Sequence, residues 1–312
     1  MLDTNEVSNP VLLEDALRGL RAEPKTISPK WFYDEVGSAL FEDITRLPEY
    51  YPTRTEAAIL RDHVDDLAVL ANPETALIEL GSGASVKTRI LLDAMADLNT
   101  YVPLDISAEF LAQTAETLRD AYPALYISPL TADFMAPINL PKSLTKTENL
   151  LFFPGSTIGN LEPFEARALL TRLHGLPNLK AFIVGVDLVK DVDVLVRAYD
   201  DAAGVTAAFN LNLLSRLNRE AGANFDLDTF THRARWNMHE SRIEMHLACT
   251  RSQVVSIGDE QIEFFKGETV HTESSHKYTP ESLTKLAASA GWKIDRIWTD
   301  AEALFAVAIL TP

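Results

Sequence analysis

The chain has 312 residues, 46% of them hydrophobic and 23% charged, which is the composition of a packed globular protein with one large domain or two ordinary ones. Its 28 Lys+Arg against 45 Asp+Glu leave a net charge of −17, which argues against holding nucleic acid by phosphate neutralisation and against docking on an anionic membrane. The single cysteine, Cys249, excludes an intrachain disulfide and a Cys-built zinc site.

From Met1 to Pro10 the sequence is polar and acidic, unlike a signal peptide, and no apolar run nears the ~20 residues that span a bilayer. A cytoplasmic protein is expected. Segment 31–52 is rich in aromatic residues, with tyrosines at Tyr33, Tyr50 and Tyr51. Short apolar runs then alternate with helical patterns: strand 76–80, helix 86–95, strand 100–104, helix 107–121, a weak strand 125–130 interrupted by Pro129, strand 149–153 and strand 181–186. This alternation predicts β-α-β units and a mainly parallel sheet. Helical patterns follow over 191–220, and 242–249, 253–257 and 261–265 read as strands of an antiparallel sheet. A helix over 280–290 and an antiparallel strand pair at 293–299 and 304–310 should close the parallel sheet. No 20–50-residue repeat interrupts this order.

The segment Glu79-Leu80-Gly81-Ser82-Gly83 follows the first strand and precedes a helix. Glycines there let the backbone approach a ligand at the carboxyl edge of the sheet, where open α/β folds bind. A dinucleotide fingerprint requires a third glycine at 86, and a P-loop requires glycine immediately before Lys87-Thr88; Val86 defeats both. The remaining pattern resembles the E/D-x-G-x-G loop of class I S-adenosylmethionine-dependent methyltransferases. In that reading Asp105, ending the second strand, accepts from ribose hydroxyls. Asp133 meets the adenine amino group while Phe134 packs on the ring, and Lys87 meets the cofactor carboxylate as a point charge. The plain alternative makes both aspartates strand-end turn residues.

Three longer stretches carry a more specific resemblance: 31–34 through 46–56; Gly155-Ser156-Thr157-Ile158-Gly159-Asn160; and Asp187-Leu188-Val189-Lys190 continuing through 198–210. With the glycine loop, they are similar to the histidine-specific N-α-methyltransferases of ergothioneine biosynthesis, from about Leu17 to the C-terminus. The resemblance implies an α/β fold with a class I methyltransferase domain (a Rossmann-like seven-stranded sheet) and a second α+β substrate-binding domain. The expected boundaries are 56–189 with 276–312 for the first and 1–55 with 190–275 for the second. It implies S-adenosylmethionine as cofactor and trimethylation of the α-amino nitrogen of L-histidine to hercynine. It matches Tyr51, Asn160 and Tyr199 to groups that hold the amino acid's amino and carboxylate ends, and Tyr33 to a tyrosine near the reacting nitrogen, so Tyr33 and Asn160 are the catalytic candidates. Gly81, Gly83, Lys87, Asp105, Asp133, Phe134 and Gly155 match the cofactor site. Glu273 and Ser275 match the pair that recognises the imidazole, and Met245 a pocket wall.

The chemistry asks for what these residue types offer. Tyrosine rings at Tyr33, Tyr51 and Tyr199 attract an increasingly alkylated ammonium, or else they are simply core aromatics. Glu273 and Ser275, two apart on a strand, should share one face, with Ser274 and His276 turned away. The stretch Ser274-Ser275-His276-Lys277 is more polar than the Glu-Ile-Ser-Ala-Lys type usual in the family. The seven histidines show no metal-binding spacing, and no metal is expected. The expected partners are small molecules, with no nucleic acid and no membrane, and a monomer is expected. The alternatives are a methyltransferase for another aromatic amino acid such as tryptophan or a derivative, an inactive homologue that binds cofactor or amino acid, and a nucleotide-binding α/β protein, which Val86 disfavours.

Overall fold

A computed structural model of the chain describes residues 7–82 and 86–312. It forms two compact units, Pro52–Val189 with His276–Pro312, and Met1–Tyr51 with Lys190–Ser275. In chain order the strands among the described residues are β1 (Thr75–Leu80), β2 (Thr100–Asp105), β3 (Tyr126–Ile127), β4 (Leu130–Thr131), β5 (Glu148–Phe153), β6 (Leu179–Asp187), β7 (Phe230–Asn237), β8 (Arg242–Cys249), β9 (Gln253–Ile257), β10 (Glu260–Phe264), β11 (Thr269–His276), β12 (Lys293–Thr299) and β13 (Phe305–Thr311).

The first unit is built on a sheet ordered β12-β13-β6-β5-β1-β2-β3, with β4 also paired to β2. Neighbours from β3 to β6 run parallel, and β13 enters antiparallel to both β6 and β12. This is the mixed α/β architecture that the sequence predicts. β1 is buried at every position, as expected when helices cover both faces of a parallel sheet. Alternation divides its side chains between two cores. Ala76, Ile78 and Leu80 join Phe153, Val184 and the helices Pro163–His174 and Pro280–Ser289; Leu77 joins Phe152, Ile183 and the helices Pro52–Asp62, Val86–Ala94 and Ala108–Ala121. Glu79 shares the parity of Leu77, and Gly185 that of Ile183, so both face the second core. The strand expected over 125–130 is instead the two short pieces β3 and β4. Pro129 lies between them, and proline has no N–H for the ladder.

In the second unit, the helical pattern over 191–220 becomes two helices, Val192–Tyr199 and Val205–Glu220. The chain turns at Gly204, φ +76°, and the Asp201 carboxylate accepts the N–H groups of Val205 (3.0 Å) and Thr206 (2.8 Å), restarting the helix. The strands expected near 242–249, 253–257 and 261–265 are present, but they do not share a sheet. β8 lies between β11 and β7, while β9 and β10 form a separate two-stranded ribbon that turns at Gly258. β8, the central strand of its sheet, is almost wholly buried; β9 and β10 bury alternate residues, the pattern of a ribbon with one wet face. The flanking strands β7 and β11 carry Arg233, Arg235, His271 and Glu273, which hide their alternation from a reading of hydrophobicity alone. No helix among the described residues is long and apolar enough to cross a membrane.

Candidate active site

In the sheet unit Asp105 ends β2, and the loops after β1, β4 and β5 carry Gly81, Asp133-Phe134 and Gly155, all at the carboxyl edge where open α/β sheets bind ligands. Gly81 has φ +65°, and a Cβ there would lie 3.7 Å from the Phe134 ring, so these two loops meet. Phe134 is held edge-on to Phe153, with centroids 5.3 Å apart. Asp105 accepts the Ser107 N–H at 2.9 Å, and Asp133 accepts the Met135 N–H at 2.7 Å, so each carboxylate also closes its own turn. Desolvation raises the Asp105 pKa, against the backbone hydrogen bonds of Ser107 and Ile106 that lower it. Gly83 lies outside the described residues.

Beneath this edge, Glu79 is buried with no solvent exposure. It accepts from the Thr88 hydroxyl at 2.8 and 3.0 Å and from the Tyr101 hydroxyl at 2.6 Å, and Tyr101 also pairs with the Ser82 hydroxyl at 2.9 Å. Burial pushes the Glu79 carboxyl up to about 7, with the Tyr101 and Thr88 hydrogen bonds pulling the other way; burial and the nearby Glu79 charge push Tyr101 well above the ordinary phenol value. The network ties β1, β2 and the first turn of the helix Val86–Ala94 to the glycine loop.

Lys87 has a buried partner that the sequence does not reveal. Its ammonium lies 2.8 Å from the carboxylate of Glu56, a pair whose side chains are 9% and 0% exposed. The same carboxylate accepts the N–H of Gly155 at 2.8 and 3.1 Å, and a Cβ on Gly155 would lie 3.4 Å from the Lys87 ammonium. Lys87 and Gly155, far apart in sequence, are therefore joined through a residue given no role from sequence. Glu56 did leave a signal: it lies three and four residues before Ile59 and Leu60, on the buried face of its helix. Asn160 ends a 3-10 turn, Thr157–Asn160, in this same unit. That turn follows Gly155 (φ +80°) and Ser156 (φ 58°), and the Ser156 hydroxyl accepts the Asp187 N–H at 2.9 Å.

The other unit gathers a different set. Tyr33 stands edge-on to Phe41 and Phe209, with centroids 5.7 and 6.0 Å away, and Tyr50 is edge-on to Tyr199 at 6.3 Å. The Tyr199 hydroxyl is 2.8 Å from that of Ser275, while the Ser274 hydroxyl meets His271 at 3.2 Å, so these neighbouring serines serve different partners. The pKa of Tyr33 is raised far above its ordinary value, by desolvation first and then by Glu273 and Tyr199, which places these three groups within electrostatic reach. About half of Tyr33's surface (49%) remains accessible. Met245 is buried opposite Ala234, and its carbonyl accepts the Thr272 hydroxyl at 3.0 Å, which fixes β11 just before Glu273. The Tyr51 hydroxyl accepts from Lys190 at 2.6 Å, and the ammonium lies 4.5 Å from the ring centroid. One face of Tyr51 thus already attracts a resident cation, a partner that the sequence did not reveal.

Comparison with known proteins matches residues 12–312 to the family described as histidine-specific methyltransferase, SAM-dependent. The chain is 48% identical to the histidine N-alpha-methyltransferase of Mycolicibacterium smegmatis, an alignment that covers 93% of this chain and 91% of that one. It is 46% identical to the histidine N-alpha-methyltransferase of Mycobacterium tuberculosis, with the same coverage. A 4-dimethylallyltryptophan N-methyltransferase of Claviceps purpurea is 26% identical, over 93% of this chain and 91% of its own length.

Proposed function

The chain belongs to the family of histidine-specific, SAM-dependent methyltransferases, and from that premise we propose that it transfers three methyl groups to the α-amino nitrogen of L-histidine, giving hercynine for ergothioneine biosynthesis. The observation that carries this reading is the cluster of Tyr33, Tyr199, Ser275 and Glu273, a carboxylate and hydroxyls grouped beside aromatic edges. A carboxylate accepts one imidazole N–H while a hydroxyl serves the other ring nitrogen. An indole, larger and with a single donor, would leave one of these groups unpaired, at a cost of ~1–3 kcal/mol.

The sheet unit's residues fit S-adenosylmethionine. Glycines at Gly81 and Gly155 leave space that a Cβ would fill, beside an aromatic ring in one case and an ammonium in the other. Asp105 and Asp133 offer acceptors for a ribose and an adenine amino group, Phe134 a face for the base, and Lys87 a charge for the carboxylate of the amino-acid tail. Gly83 is assigned here with Gly81. When bound, this cofactor supplies an electrophilic methyl carbon on a sulfonium. The chain's task is then to orient the amine and exclude water, which is where positioning contributes most.

The amine, with an ordinary pKa of ~8 or above, must lose its proton to attack, and a nearby cation favours that loss. Tyr33 is a neutral phenol near neutral pH, as an unperturbed tyrosine of pKa ~10 already is, and the shift here is upward; it serves as a hydrogen-bond partner to the nitrogen rather than as an ionised base. The sequence resemblance assigns Asn160, Tyr51 and Tyr199 to the amino and carboxylate ends and Met245 to a wall beside the ring. As methylation removes N–H donors, the ring quadrupoles of Tyr33 and Tyr199 take over from hydrogen bonds. Mass spectrometry of histidine incubated with the protein and S-adenosylmethionine tests the reading: products gaining one, two and three methyl groups are expected. No mass gain on histidine, or gain on tryptophan alone, would reject it.

A further inference from the structure

Glu56 has no place in the reaction as derived so far, yet its carboxylate is fully enclosed at the carboxyl edge of the sheet. Its side chain is 0% exposed, and it gathers the Lys87 ammonium at 2.8 Å and the Gly155 N–H at 2.8 and 3.1 Å. The strand behind it is shaped to admit it. A Cβ on Gly185 would lie 2.0 Å from the Glu56 carboxylate oxygen, so only a glycine of β6 lets this carboxylate lie where it does. An ionised group buried this deeply persists only when paired and hydrogen-bonded, and its two partners lie in the segments after β1 and β5.

We propose that Glu56 is a positioning residue of the cofactor site: it fixes the Lys87 ammonium and the Gly155 backbone so that the remaining Lys87 N–H donors are offered to the carboxylate of the cofactor's amino-acid tail. The proposal rests on the assignment of Lys87 to that tail. Lysine is a flexible point charge with three donors, and anchoring one of them orients the other two. Without Glu56 the ammonium is left buried and uncompensated, so it turns to solvent and the tail loses its partner.

The test compares two ligands by calorimetry, with no turnover involved: S-adenosylhomocysteine, and 5′-methylthioadenosine, a thioether nucleoside without the amino-acid tail. Glu56→Gln is expected to lower affinity for S-adenosylhomocysteine at least tenfold while affinity for methylthioadenosine stays within threefold. Lys87→Met should do the same, and the double variant should lose little more than Lys87→Met alone, because the two residues act as one unit. Should Glu56→Gln fail to fold, Glu56→Asp, which keeps the charge but withdraws it by one methylene, carries the test by the same criterion. If Lys87→Met keeps the full preference for the tailed ligand, the assignment of Lys87 fails and the proposal with it. If Lys87→Met loses the preference and the Glu56 variant keeps it, Glu56 alone is excluded. Equal losses for both ligands would make Glu56 a support of the fold only. A strengthened preference would make it a competing anion. Either result overturns the proposal.

Discussion

The two units hold their chemistry in opposite ways. In the sheet unit the important groups are fixed from behind, by carboxylates with no solvent exposure: Glu79 under the glycine loop and Glu56 under Lys87 and Gly155. In the other unit Tyr33 and Glu273 remain partly accessible, and they are set by ring edges and single hydroxyl contacts such as Tyr199 with Ser275. A site for one invariant cofactor gains from buried, fully satisfied networks, which rigidify but tolerate no partial loss. A site that must tell one amino acid from another, and follow a nitrogen through three methylations, is better made of side chains that can be changed singly. Substitutions in the sheet unit should therefore cost stability and cofactor binding together, whereas those in the other unit should alter selectivity in a chain that still folds.

The sharpest way to break this contrast is Gly185→Ala. The added methyl meets the Glu56 carboxylate carbon at 2.8 Å and its oxygen at 2.0 Å. Overpacking combined with a displaced buried charge is expected to cost about 3–5 kcal/mol, read from denaturant unfolding, and to weaken S-adenosylhomocysteine binding in parallel. A stable variant with unaltered binding would mean that the edge is not rigid.

Next in size is a pH effect at Glu79, whose carboxyl is raised from 4.5 to about 7. Between those values the folded chain keeps a proton that the unfolded chain releases. This contribution to stability is therefore complete below about pH 4.5 and is lost as pH rises toward 7, by roughly 3 kcal/mol. Glu79→Gln removes the titration, so the difference in unfolding free energy between the two proteins should vary across that window. A constant difference would show that Glu79 titrates normally.

In the other unit, Glu273→Ala should lower kcat/KM for histidine by about fivefold to 150-fold, the ~1–3 kcal/mol of one polar contact to the substrate, while the unfolding midpoint barely changes. Unchanged histidine turnover would remove the basis for imidazole recognition. The smallest effect is expected from Tyr199→Phe, which deletes the hydroxyl beside Ser275 but keeps the ring. A loss of ~1 kcal/mol, about fivefold in KM for histidine, would mark a hydrogen-bonding role, and a loss in unfolding free energy instead would mark a packing one.

Much of this was legible in the sequence because it is local. Leu77 and Ile78 lie in an apolar run with no polar break until Glu79, Gly81 follows at once, and Val86 excludes the phosphate-binding variants of the same loop. Pro129 announced a damaged edge strand, since the loss of an N–H is a property of one residue. β7 and β11 were harder to find because arginine, histidine and glutamate take positions on them, and such residues join a sheet only when their neighbours satisfy them.

By itself, then, the sequence determined the order of strands and helices, the glycine loop at its strand end and the family to which the chain belongs, since periodicity and contiguous motifs are written along the chain. Only the tertiary structure decided that Glu56 would meet Lys87, Gly155 and Gly185, that Lys190 would cover Tyr51, and that Tyr199 would reach Ser275. Each of these contacts joins residues tens of positions apart, and a distance of 3 Å across such a span is fixed by how helices pack on sheets and strands pair, not by any pattern that one segment carries alone.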